Sequence, residues 1–150
     1  MGIRISMDDK LGGGNVSWVT PKTNWKSTDY FNCGDYNRIK GNLEYLHEQC
    51  CLLCKEITIN DMGDDATWST LWYADNFNNF ETNLEKINIA CYAFNIGTTL
   101  KFYSNGGFIK YDELNRIESA CLRLYEQLAR HKLSLRRIPF TLGRFREVRV

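Results

Sequence analysis

The residues whose types and spacing invite chemistry lie close together: His47-Glu48 and the run Cys50-Cys51-Leu52-Leu53-Cys54. Cys51-x-x-Cys54 has the spacing of one arm of a zinc site or of a thiol redox motif. A structural zinc site takes two such arms, and the chain has one. His47-Glu48 begins like a zincin helix, but the second histidine is replaced by Cys51. Cys50, Cys91 and Cys121 fall where an apolar stripe needs core side chains, so they read as buried free thiols acting as small hydrophobes. Six unpaired cysteines point to a reducing site of synthesis. With two histidines and no Ser or Cys nucleophile motif, acyl transfer has no visible machinery. Gly12-Gly13-Gly14 is not followed by Lys-Ser/Thr, so it reads as a hinge rather than a phosphate loop. Asn15-Val16-Ser17 is a glycosylation triplet expected to be silent. No enzyme, cofactor or metal is expected.

The elements that would carry these residues repeat. "STDYFNCGDYNRIKGNLEYL" (27–46), "LWYADNFNNFETNLEKI" (71–87) and "GGFIKYDELNRIESACLRL" (106–124) align without gaps. Tyr36, Phe77 and Leu114 correspond, then Asn37, Asn78 and Asn115, then Ile39, Phe80 and Ile117, at spacings of 41 and 37 residues. Periods of this size mark a repeated supersecondary unit. Each copy opens with an aromatic or apolar pair (Tyr30-Phe31, Trp72-Tyr73, Phe108-Ile109), followed by an expected helix cap at Asp35, Asp75 or Asp112.

Apolar steps of three and four then draw one stripe per copy. The first runs Tyr36, Ile39, Leu43, Leu46, Cys50, Leu53, Ile57. The second runs Phe77, Phe80, Leu84, Ile87, Cys91, Phe94. The third runs Leu114, Ile117, Cys121, Leu124, Leu128, with His131 next. The expected fold is mainly α: a three-helix bundle of three degenerate helical repeats, with helices over about 35–57, 75–94 and 112–132. The connectors of about 15 residues are long for an up-down bundle and would let the helices point the same way. "TTLKFYSNGGFIKY" suggests a small β-hairpin on its Asn-Gly turn. The division is an extended N-terminal arm (1–24), the helical domain (25–132) and a basic extended C-terminal arm (133–150).

The net charge of +1 is unevenly spread. From Arg130 on there are seven Lys/Arg against Glu147 alone, leaving a body of 12 basic and 17 acidic residues. Such a tail suits an acidic surface or nucleic acid, or is a solvated charge run. In "SLRRIPFTLGRFREVRV", Ile138, Phe140 and Leu142 alternate as on one strand face. Arg38 and Arg116 sit in first helical turns, where the dipole disfavours cations; Asp29, Asp35, Asp112 or Glu113 would compensate. No apolar run is long enough for a membrane helix, and the opening residues lack the apolar stretch of a signal peptide. Met1-Gly2 with Ser6 fits the myristoylation pattern only formally.

The stretch "PKTNWKSTDYFNCGDYNRIKGNLEYL" resembles a phrase in structural proteins of tailed phages and prophages of Gram-positive bacteria. That phrase is carried here by Trp25, Asp29, Phe31, Asn32, Asp35, Tyr36, Asn37, Arg38, Ile39 and Asn42. Lys40 stands where Glu is usual, and Glu118 restores it in the third copy. The resemblance implies a non-enzymatic tail, baseplate or fibre-attachment subunit of the virion, made in the host cytoplasm. It would be a homo-oligomer that meets other virion proteins through its arms, with no membrane partner. The expected assembly residues are Trp25, Arg38, Arg116, Arg136, Arg137, Phe140, Arg144, Phe145 and Arg146. The alternative is a nucleic-acid-binding or head-tail connector protein that uses the Arg-rich tail; a zinc-stapled module is a third reading.

Overall fold

The computed structural model describes residues 16–149, with side chains through Leu135. Three helices pack together: α1 (Cys33–Leu53), α2 (Ala74–Cys91) and α3 (Tyr111–Arg149). Their stripes form the core. Phe80, Leu43, Leu46, Cys50, Leu84, Ile87, Ile117 and Leu124 are completely buried, and Ile39 and Cys121 nearly so. No helix among the described residues is long and apolar enough to cross a membrane.

The helices run parallel. Residues near the three helix starts meet one another: Tyr36 lies 4.8 Å from Phe80 between ring centroids, and Arg38 reaches Glu118 of α3. Residues near the ends meet as well, with the Tyr92 hydroxyl 3.1 Å from His131 Nδ1. Parallel helices need connectors that travel the full length back, which explains the long ones here. Three extended segments (16–32, 55–73 and 93–110) each lie in a groove between two helices and run against the helix direction. The first carries Trp18, stacked 4.1 Å from Tyr125, then Val19 beside Asn42, Lys22 beside Glu118 and Trp25 beside Asn115.

Several expectations are corrected. The helices start one or two residues before the expected bounds, and α1 and α2 stop three or four short; Ile57 and Phe94 lie past the ends, half-buried against the core. The cap of α1 is Asn32, not Asp35. Its side chain accepts from the Gly34 and Asp35 amides, and Asp35 returns the bond to the Asn32 amide. The acid is thus the third helical residue of a capping box. Asn76, not Asp75, does this for α2 by accepting from the Tyr73 amide at 2.8 Å. At the start of α3 the Lys110 carbonyl takes the first amides, so Asp112 lies inside the helix. The Asn-Gly turn forms, with the Gly106 amide donating to Tyr103 O at 2.8 Å, yet no strand flanks it among the described residues.

At the N-terminal side, residues 16–24 form no helix or strand and lie along the bundle, while 1–15, with the Gly12–Gly14 hinge, fall outside the described residues. The segment 133–149 is helical, not extended, so Ile138, Phe140 and Leu142 share no strand face. Arg and Leu are good helix formers, and a helix already running into Leu133 needs no new nucleus.

Candidate assembly interface

Extended segments without strand partners must satisfy their backbones elsewhere. Here asparagines on the helices do so. Asn37 accepts from the Ala66 amide (2.7 Å) and donates to the Ala66 carbonyl (3.0 Å). Asn78 clamps Phe102 the same way at 2.7 and 2.9 Å, and Asn115 clamps Trp25 at 2.7 and 3.0 Å. A carboxamide suits this duty because it offers one acceptor and one donor side by side. A second pair lies higher: Asn42 clamps Val19 and Asn83 clamps Asn60. The position aligned with these on α3 is Ala120. Asn88 folds back on Phe94 and turns the chain out of α2, where Ala93 adopts φ 51°.

The expected interface residues Trp25, Arg38 and Arg116 turn out to face inward. Trp25 is buried, and its indole N–H donates to Glu118 Oε1 at 2.8 Å. Arg38 forks onto both Glu118 oxygens at 2.7 and 2.9 Å and reaches Asp35 at 2.8 Å. Burial works against its charge, but Glu118 and Asp35 outweigh that and raise its pKa. The Lys22 amide completes the set on Glu118. Arg116 pairs with Glu81 of α2 and with Glu113. A side chain on Gly97 would come within 2.7 Å of Arg116 Cδ, and Gly97 has φ +82°, so this passage wants glycine on two counts. The side chains of Arg136, Arg137, Phe140, Arg144, Phe145 and Arg146 lie outside the described residues.

At the third junction, Lys40 stands where Glu81 and Glu118 stand, and Asn79 stands where the arginines stand. Both partners of the pair are changed together. Lys40 turns to Asp65 at 2.8 Å instead, and Asn79 accepts from Asn60 at 3.1 Å.

Among the described residues, exposed aromatic side chains gather at one end of the bundle. At the helix starts, Tyr30 (92 %), Trp68 (89 %), Leu71, Tyr73, Tyr103 and Phe108 are exposed. Tyr30, Tyr73, Tyr103 and Phe108 rim clefts of about 410 Å³, between Trp25 and Tyr111, and about 210 Å³, between Trp72 and Phe108. The aromatic pairs before each helix were the sequence signal for this end: Phe31 and Trp72 turn in to meet Phe108, while Tyr30 and Tyr73 face out. At the other end α3 runs on past the ends of α1 and α2.

The thiols do not form a described metal centre. Cys50 and Cys121 are buried and Cys33, Cys51, Cys54 and Cys91 half-buried, all free. Among the described residues no group of three or more His, Cys, Asp or Glu is disposed to hold a metal. Burial pushes the Cys50, Cys91 and Cys121 thiols upward in pKa, away from the reactive thiolate. Comparison with family models, curated proteins and solved structures finds no match to this chain.

Proposed function

We propose that the chain is a structural, non-enzymatic subunit of a phage virion, a tail, baseplate or fibre-attachment adaptor built from three degenerate helical repeats. One observation carries the reading. The polar residues of the phage-like phrase serve the protein's own architecture: Asn32 caps, Asp35 and Arg38 pair, and Asn37 and Asn42 clamp. A phrase spent on rigidity suits a scaffold whose ends meet neighbours. Trp25, Arg38 and Arg116 then contribute by fixing those ends, while the basic residues from Arg136 onward remain the proposed contacts. Mass spectrometry of purified particles tests this: the chain should be found in them, and its absence from every particle rejects the role.

The second reading is nucleic-acid binding. It draws on the seven Lys/Arg between Arg130 and Arg149, placed on one continuous helix. Phosphate contacts would make binding fall steeply with salt. Duplex DNA titrated at several salt concentrations decides it; binding that is absent or insensitive to salt removes this option.

A further inference from the structure

The third helix is 39 residues long, against 21 and 18 for its neighbours. Tyr92, just past the end of α2, is level with His131. Beyond that level α3 continues for 18 residues, or about 27 Å at 1.5 Å per residue. Within the bundle its stripe is Leu114, Ile117, Cys121, Leu124 and Leu128, all buried by α1 and α2. The same alternation of three and four continues without a break through His131, Leu135, Ile138, Leu142 and Phe145. A heptad stripe of this kind is the seam of a coiled coil. Where it first leaves the cover of α1 and α2, Leu135 is 39 % exposed, and adjoining Leu133 is 57 % exposed.

We propose that a second copy of this chain covers the stripe, forming an antiparallel, tail-to-tail dimer through residues 132–149. The orientation follows from the fold. Below His131 the stripe side of α3 is filled by α1 and α2. A parallel partner helix on the same seam would have to continue down through them, whereas an antiparallel one stops where they stop. Pairing a with d positions across a two-fold axis sets Leu135 against Phe145 of the second copy, and Ile138 against Leu142. The same register brings the second copy's Arg149 level with His131, beside the ends of α1 and α2. Neither of those helices has a basic residue in its last turn. Their carbonyl ends, with Glu48 and Glu56 near the end of α1, attract the incoming arginines. Charge complementarity between the basic tail and the acidic body therefore favours a second copy as the occupant.

The test uses the full-length chain. Light scattering at 50 µM should give the mass of two chains of 17.5 kDa each. The Ile138→Asp/Leu142→Asp variant should give one chain, with unchanged tryptophan near-UV circular dichroism because the bundle lies below the seam. A monomeric wild type, or a variant that stays dimeric, overturns the proposal. Benzoylphenylalanine placed at Phe145 and irradiated should cross-link near Leu135 of the second copy. Cross-links to 142–149 of the second copy, to residues 1–15, or to another protein overturn it as well. These readouts need no particle, so they stand apart from the virion role.

Discussion

Glu118 and Glu81 occupy aligned positions, are each about 1 % exposed, and each meets an arginine of the neighbouring helix. Their surroundings differ. Glu118 accepts four bonds: two from Arg38, one from the Trp25 indole and one from the Lys22 amide. Glu81 is held by Arg116 through one oxygen, while Oε2 has no hydrogen-bond partner among the described residues; the Leu100 backbone works with Arg116 to favour its charged form. Burial accordingly raises the pKa of Glu81, with Arg116 opposing. A buried carboxylate is stabilising only when its lone pairs are met. The difference comes from the extended segments: 16–32 brings Trp25 and Lys22 to the carboxylate, and 93–110 brings no equivalent side-chain donor. The two glutamates therefore differ in what they contribute, despite one alignment.

Removing the satisfied carboxylate should cost most. Glu118→Ala leaves Arg38 without its main counter-charge and orphans the Trp25 N–H; the expected loss is about 3–5 kcal/mol in urea unfolding. A loss no larger than for Glu81→Ala would erase the contrast.

The clamp beside it comes next. Asn115→Ala frees the backbone of Trp25 and should cost about 1–3 kcal/mol. In native-state hydrogen exchange, the Trp25 amide should lose protection while the Ala66 and Phe102 amides, held by Asn37 and Asn78, keep theirs. Loss at all three amides would instead show that the grooves open as one unit.

The third junction offers a gain. Lys40→Glu alone sets a carboxylate against Asp65 and should destabilise. Adding Asn79→Arg should restore the pair the other junctions carry, with a favourable coupling of about 1 kcal/mol in a double-mutant cycle. Zero coupling would mean that this junction has repacked around Asp65 and Asn60.

The smallest effect is expected at the weak site. Glu81→Gln removes a charge that burial disfavours, so stability should change by less than about 1 kcal/mol at neutral pH. The folded pKa is raised above the ordinary value of 4.5, so the folded state holds the proton more tightly than the unfolded chain. Stability from this group is greatest below the ordinary value and falls as pH rises toward the folded value. The Gln variant should therefore gain on the wild type as pH rises above the ordinary carboxylate value in parallel urea series; a variant that loses ground as pH rises contradicts this account.

The stripes were legible because Ile39, Phe80, Leu84, Ile117 and Leu124 follow a period set by local helix geometry. The alignment of Asn37, Asn78 and Asn115 was legible too, but their task was not. Asn115 clamps a residue 90 positions away, and no local spacing encodes that partner. Arg38 shows the division within one side chain. Its bond to Asp35 lies three residues off and could be read directly, whereas its fork onto Glu118 spans 80 residues. Trp25 was expected at an interface as part of the phage-like phrase, and only the bundle shows it buried against Glu118. The tail misled because alternating apolar residues over five positions satisfy a strand, while the longer three-four register running from Leu114 satisfies a helix.

By itself the sequence determined three amphipathic helices and a charge split between body and tail, since propensity and period act through neighbours in the chain. The tertiary structure alone decided the parallel direction, the asparagine clamps in the grooves and which glutamate is fully satisfied. Those depend on distant segments meeting, and distance along the chain carries no record of which backbone will arrive beside a given side chain.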